Sequence, residues 1–160
     1  MLNINIICIG KLKESYWREA VAEYSKRLSA FCSFSVTELS EQLLPKNPSQ
    51  GDIDRALSLE GEAILERCPA NAAVIALCIE GKMLSSENLA VKINDCAVSG
   101  KSTVCFVIGS SFGLSEKVKK RAGLRLSMSP MTFPHQLARV MLCEQIYRAF
   151  SINAGTHYHK

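Results

Sequence analysis

Three short segments of the sequence, residues 3–9, 73–79 and 103–108, are apolar along most of their length. A strand with one solvated face alternates apolar and polar side chains, whereas a strand of a parallel sheet is covered on both faces and is mostly apolar. The segments between them carry apolar residues at a spacing of three to four, as amphipathic helices do. This pattern predicts an α/β fold in which a mainly parallel sheet has helices on both faces.

Ten elements are predicted in all. The predicted strands are residues 3–9, 34–39, 73–79, 103–108 and 124–128, and the predicted helices are residues 14–29, 52–68, 86–98, 116–122 and 134–152. Pro134 suits the first turn of the last helix, where no backbone N–H is needed. No internal repeat or linker interrupts the pattern, so residues 1–160 are predicted to form a single domain.

Composition favours a domain that folds without disulfides or metals. The chain of 160 residues is 48% hydrophobic and 21% charged, which is enough to bury a full core. Its seven cysteines include no CxxC pair and no spacing typical of metal ligands, so we expect reduced thiols and no metal site. The apolar start, residues 2–9, is too short for a signal peptide or a membrane span. These features predict a cytoplasmic protein with no membrane partner.

Charge is distributed unevenly along the chain. Residues 1–100 hold ten Lys and Arg against thirteen Asp and Glu, a net of −3, while residues 101–160 hold nine against two, a net of +7. A polyanionic partner is therefore expected to meet the C-terminal part. A solvated basic surface remains an alternative for Lys117, Lys119, Lys120 and Arg121.

Two loops that follow predicted strands are candidates for a ligand site. In open α/β sheets, ligands bind beyond the carboxyl ends of the strands. Residues 109–115, GSSFGLS, match neither the dinucleotide fingerprint nor the P-loop, and a plain tight turn remains possible there. Residues 128–133, MSPMTF, are small, soft or apolar, which suits an adenine ring and a sulfonium-bearing chain. With residues 77–82 as a third wall, one pocket is predicted.

Several motifs spread over the chain match one known family. They are IGKLK at residues 9–13, Glu60-Gly61, Gly81-Lys82, FVIG at 106–109, MTFPHQL at 131–137, EQIYRA at 144–149 and the terminal Tyr158-His159. Together they resemble the SPOUT methyltransferases that methylate N3 of a pseudouridine in large-subunit ribosomal RNA. The C-terminal motifs in combination are far more specific than any one of them.

This resemblance implies a fold, a cofactor and partners. The expected fold is an α/β domain with a deep trefoil knot, working as a homodimer, with knot and cofactor pocket within residues 70–160. The expected cofactor is S-adenosyl-L-methionine, and the expected substrate is 23S rRNA within the assembled ribosome, with no DNA partner. The cofactor contacts implied by the resemblance are Leu77, Gly109, Met128, Ser129, Pro130, Met131, Thr132 and Phe133. A SPOUT enzyme acting on tRNA or another base, or an inactive ribosome-binding protein, remains an alternative.

Two positions depart from the family pattern. Ser110 stands where a second glycine is usual, and serine would be strained there if the backbone needed a positive φ. Cys78 stands where an acidic residue is common, so acid-base work at that position is not expected.

Four residues are candidates for positioning the substrate or removing its proton: His135, Arg139, Tyr158 and His159. His135 and Arg139 are four apart and share a helix face, although His135 at a helix start has a purely structural alternative. Tyr158, beside two histidines and a lysine, suits stacking on RNA, with a frayed terminus as the alternative. Glu144 and Arg148 are spaced for an ion pair within the helix.

The last predicted helix is apolar nearly all round. Such a helix is covered on more than one side, which predicts a homodimer contact. Burial between two layers of one core is the alternative.

Overall fold

Five strands and five helices alternate along the chain in the computed structural model, which describes residues 1–160. They are β1 (Asn3–Ile9), α1 (Ser15–Leu28), β2 (Ser33–Leu39), α2 (Gln50–Glu66), β3 (Ala73–Met83), α3 (Ser86–Val98), β4 (Thr103–Ile108), α4 (Glu116–Arg121), β5 (Leu124–Ser127) and α5 (His135–Asn153). All ten predicted elements are present. Their ends differ from the prediction by two residues or fewer, except at the end of β3.

All five strands belong to one sheet in the order β2-β1-β4-β3-β5, and every neighbouring pair is parallel. The predicted parallel sheet is therefore confirmed. Because β4, β3 and β5 are neighbours, the loops that follow their carboxyl ends meet at one edge. This is the edge at which a ligand pocket was predicted.

Helices cover both faces of the sheet, as predicted. On one face, α1, α3 and α5 pack over a cluster of 19 buried residues that includes Leu28, Ile93 and Ile146. On the other face, α2 and α4 contribute Ile64 and Val118 to a cluster of 12. Strand β4 is buried along nearly its whole length, which explains its lack of alternation.

Strand β3 is longer than predicted. It was expected to end at residue 79 but continues to Met83, and Leu126 of β5 pairs first with Leu77 and again with Lys82. Residues 78–81 bulge between these two pairings. A Cβ added to Gly81 would lie 2.7 Å from the carbonyl oxygen of Arg125, so only glycine permits this close approach. In the sequence, Gly81 between the charged residues Glu80 and Lys82 indicated a loop, so the strand was predicted to end before it.

The apolar circumference of α5 is largely covered within the chain itself. The helix packs against both α1 and α3, so the alternative of burial within one core accounts for much of its composition. Four apolar residues of the same helix remain only partly buried: Val140, Tyr147, Phe150 and Ile152.

Pro134 precedes the helix as its N-cap residue, and its carbonyl accepts a hydrogen bond from the N–H of Ala138 at 2.9 Å. No helix is both long and apolar enough to cross a membrane.

Candidate active site at the carboxyl ends of three strands

The bulged segment of β3, the loops after β4 and β5, and the start of α5 line a cavity of about 700 Å³. Of the predicted cofactor residues, those that line it are Leu77, Gly109, Met128, Ser129, Met131, Thr132 and Phe133. Pro130 is the exception: it is exposed and does not line the cavity. The pocket thus lies where the strand ends placed it, with one residue of the MSPMTF loop pointing elsewhere.

The loop after β4 is a tight turn that requires glycine at its first position. Gly113 has a φ of +91° and donates its N–H to the carbonyl of Ser110 at 2.9 Å. A Cβ on Gly109 would collide with the carbonyl oxygen of Gly113. Ser110 itself has no positive φ, so the steric cost considered for serine at this position does not arise.

The loop after β5 offers backbone donors to a ligand. Ser129 fixes the loop, because its hydroxyl accepts from the N–H of Met131 at 3.0 Å and its carbonyl accepts from the Ser127 hydroxyl at 3.1 Å. The N–H groups of Thr132 and Phe133 have no hydrogen-bond partner within the chain. These two donors are available to acceptor atoms of a bound molecule.

Two large apolar side chains that line the cavity are exposed to solvent. Met131 is 73% exposed and Phe112 is 48% exposed, and both line the cavity. Deeper walls come from Leu77, Ile108 and Leu114, which are largely buried. A ligand with a flat apolar ring would cover this surface and gain free energy from its burial.

An ion pair that the sequence did not reveal lies at the rim. Lys119 Nζ lies 2.6 Å from a carboxylate oxygen of Glu80, and both residues line the cavity. This hydrogen bond raises the pKa of Lys119 and lowers the pKa of Glu80.

The side chain of Arg121 is also hydrogen-bonded within the chain, since it donates to the carbonyls of Pro69, Ala70 and Ala72. Of the four clustered basic residues, Lys117 and Lys120 remain exposed.

The side chains of His135 and Arg139 lie in different environments. His135 lines the cavity, whereas the side chain of Arg139 is 1% exposed and does not. Arg139 donates to Glu38 Oε2 at 2.8 Å and to the carbonyl of Gly10 at 3.1 Å, so it ties α5 to β1 and β2. A substrate phosphate has no access to it in this arrangement. We therefore assign Arg139 a structural role.

The C-terminal tail is docked on α5 and is not frayed. The Tyr158 ring packs edge-on against Tyr147 with centroids 4.8 Å apart, and the Arg148 guanidinium lies 4.7 Å from the Tyr158 ring centroid. The Tyr158 hydroxyl donates to Glu144 Oε1 at 3.0 Å. The predicted ion pair between Glu144 and Arg148 is confirmed at 2.6 Å. Glu144 therefore joins the tail to the last helix.

Both ring nitrogens of His159 are engaged. Nδ1 lies 3.2 Å from Arg148 Nη1, and Nε2 lies 2.7 Å from Glu87 Oε1 at the start of α3. Since arginine can only donate, Nδ1 accepts, and a neutral ring with its hydrogen on Nε2 satisfies both contacts. His159 has no free nitrogen for a substrate proton while the tail is docked.

A second cavity of about 400 Å³ adjoins the first, and Leu126, Ser127 and Met128 belong to the walls of both. Glu144 and Gln145 of α5 line it, together with Ser86 of α3. The Ser86 hydroxyl donates to Gln145 at 2.7 Å. Tyr158 and His159 line neither cavity, but Glu144 connects Tyr158 to the second one.

Comparison with known proteins gives one consistent result. The family model described as "Predicted SPOUT methyltransferase" matches residues 2–159. The chain belongs to the SPOUT methyltransferase family. Proteins named ribosomal RNA large subunit methyltransferase H are similar to it: those of Clostridium novyi (strain NT), at 53% identity, and Bacillus pumilus (strain SAFR-032), at 52%. Each alignment covers 99% of this chain and 100% of the relative.

Membership of the SPOUT methyltransferase family implies a knotted fold and a methyl donor. The larger cavity fits such a donor, because it combines volume, an apolar wall and free backbone N–H groups at one place. The Glu80 and Lys119 side chains at its rim neutralise each other, so a ligand is not required to carry phosphate. No group of His, Cys, Asp and Glu side chains in the chain could hold a metal ion.

Proposed function

We propose that this protein methylates N3 of a pseudouridine in 23S rRNA on the assembled ribosome, with S-adenosyl-L-methionine as donor. The observation that carries the proposal is the 700 Å³ cavity formed by the bulged segment of β3 and the loops after β4 and β5 in a chain of the SPOUT family. The names of the similar proteins support ribosomal RNA of the large subunit as the substrate.

The donor would be held by Leu77, Gly109 and the cavity-lining residues of the 128–133 loop. When bound, S-adenosyl-L-methionine supplies a methyl group activated by a sulfonium sulfur. The apolar wall of Leu77, Ile108 and Leu114 would receive the adenine ring, and the N–H groups of Thr132 and Phe133 would meet its acceptor atoms. The protein's main contribution is to align the donor with the nucleophile and to exclude water.

The target base would enter from the side of the second cavity. Its 400 Å³ give room for a nucleoside, and Met128 in the shared wall lies between the two compartments. N3 of a pseudouridine carries a proton at neutral pH, so that proton must leave as the methyl group arrives. We assign this proton to His135, which lines the donor cavity and would accept it directly or through water. Tyr158 and His159 would contact RNA only after leaving α5.

Homodimerisation is part of the proposal. The partly buried apolar residues of α5 continue into an aromatic cluster with the turn after α1, where Phe31 lies between Tyr147 and Phe150 at centroid distances of 5.9 and 6.1 Å. A second subunit would cover this surface. The modest net charge of +4 gives these residues little electrostatic affinity for free RNA, which favours the ribosome as the substrate and hence a cytoplasmic location.

Calorimetry with S-adenosyl-L-methionine tests the enzyme proposal first, and no binding at millimolar donor would reject it. Methylation assays then compare ribosomal particles with a naked rRNA hairpin and with tRNA, and mass spectrometry locates the methyl group. Transfer to tRNA in preference to the large subunit would favour the other SPOUT activity. Binding to ribosomes without any transfer would favour the inactive binding protein, a reading that the ordinary backbone of Ser110 does not support.

A further inference from the structure

Glu60 is a buried carboxylate that no cation neutralises. It lies on α2 with 4% exposure, and it takes part in none of the ion pairs of the chain. Oε2 accepts from the backbone N–H of Gln42 at 3.0 Å, and Oε1 accepts from the Ser110 hydroxyl at 2.9 Å. Burial of a carboxylate is costly unless its oxygens are hydrogen-bonded, so both contacts matter to the folded chain.

Ser110 connects this carboxylate to the donor cavity. It is part of the cavity lining and of the tight turn that the bond from Gly113 N–H to the Ser110 carbonyl closes. Glu60 does not line the cavity. The Ser110 hydroxyl therefore anchors the turn from behind, on the side away from a bound ligand.

Helix α2 also contacts the far end of the same loop. A Cβ on Gly61 would collide with the hydroxyl of Ser115, which caps α4 by accepting from the N–H of Val118 at 3.3 Å. Glu60 and Gly61 are thus packed against both ends of the segment that joins β4 to α4. The absence of a side chain at 61 brings the helix close enough for the carboxylate to reach Ser110.

We propose that Glu60 is a positioning residue for the methyl donor, acting through Ser110 to hold the loop of residues 109–113 in the shape that binds it. This inference rests on the proposed function. The hydroxyl of Ser110 supplies an anchor that a residue without a side-chain donor at position 110 could not supply. The anchor removes alternative loop conformations before the donor arrives, which strengthens binding by pre-organisation.

Calorimetric titration of S-adenosyl-L-methionine into the wild type and into Ser110→Ala, Glu60→Ala and the double variant tests this. Each single variant should raise the Kd about tenfold, the size expected for losing one hydrogen bond to a charged group. The double variant should stay within about twofold of the singles, because both changes remove the same contact. Glu60→Gln retains an acceptor oxygen for Ser110 and should bind within about threefold of the wild type. Glu62→Ala, the exposed neighbour on α2, is the matched control.

Kinetics on ribosomal particles separate positioning from general instability. If Glu60 positions the loop, Ser110→Ala raises the KM for the donor while kcat at saturating donor remains within about twofold. A lowered kcat with an unchanged donor Kd overturns the inference, as does additivity in the double variant. If the wild-type protein does not bind the donor, the proposed function itself is rejected. If the wild type binds the donor and the Ser110→Ala variant binds it equally well, only the role of Glu60 is rejected.

Discussion

Arg139 and Glu38 form a buried ion pair. We predict that substituting Glu38, the more exposed partner, destabilises the folded protein more than substituting Arg139. Arg139 is 1% exposed and Glu38 is 34% exposed. Glu38→Ala leaves a buried guanidinium with only the Gly10 carbonyl as partner, and an unpaired buried charge costs about 3–5 kcal/mol. Arg139→Met leaves a carboxylate that is still partly hydrated and still accepts from the N–H of Leu12 at 3.0 Å.

The Arg139→Met variant should therefore be destabilised less. The lost charged hydrogen bond is worth about 1.5–3 kcal/mol. Part of this loss is offset because methionine fills the space without burying the Nε group, which has no partner in the folded chain. We expect a net cost of about 1–2 kcal/mol, at least 1 kcal/mol less than for Glu38→Ala.

Urea unfolding of both variants at one fixed protein concentration measures this difference from the midpoint and the slope. Glu23→Ala, which removes an exposed pair with Arg27, is the control and should cost less than about 0.5 kcal/mol. Equal costs, or a larger cost for Arg139→Met, would refute the reasoning. If folded Arg139→Met protein instead showed a raised KM for RNA, the substrate contact predicted from the sequence would be correct and the structural assignment wrong.

Three further predictions concern the tail, the glycine turn and the thiols. Deletion of residues 156–160 should abolish methyl transfer while donor affinity changes less than about twofold, because the tail does not line the donor cavity; full activity of the deletion variant would remove the tail from the mechanism. Gly109→Val should weaken donor binding at least tenfold, because its side chain collides with Gly113 and distorts the turn; unchanged affinity in a folded variant would show that the pocket is misplaced. Iodoacetamide at pH 8 should label Cys68 first, since a hydrogen bond with Cys105 lowers its pKa, while burial raises the pKa of Cys8 to about 11 and of Cys143 to about 12 and keeps them protonated; mass mapping of the alkylated peptides tests this order.

The strand ends were predictable from the sequence because burial on both faces leaves a strong local signal. Runs such as 103–108 identify parallel strands, and parallel strands place the following loops at one edge. Seven predicted cofactor residues therefore lie around one cavity. The extension of β3 to Met83 was missed, because Gly81 is required by contact with a strand more than forty residues away and not by its neighbours.

Long-range polar pairs were the other failure of sequence reasoning. The bonds from Arg139 to Glu38 and from Ser110 to Glu60 join residues 101 and 50 positions apart, and no local spacing encodes them. By contrast, the pair of Glu144 and Arg148 follows the helical repeat and was predicted. General rules of chain connection exclude knots, so the knotted fold could enter only through family resemblance.

The packing of α1 against α5 has a consequence for how the protein is made. Helix α1 leaves the ribosome long before α5, the helix that packs against it, because α5 begins more than 100 residues later in the chain. Until then, Val21 and Leu28 lack the partner that buries them in the finished core. An apolar helix face that stays exposed until its partner helix has been made can bind chaperones and can start aggregation. Nascent chains arrested before residue 135 should therefore depend more on chaperones than the finished protein does.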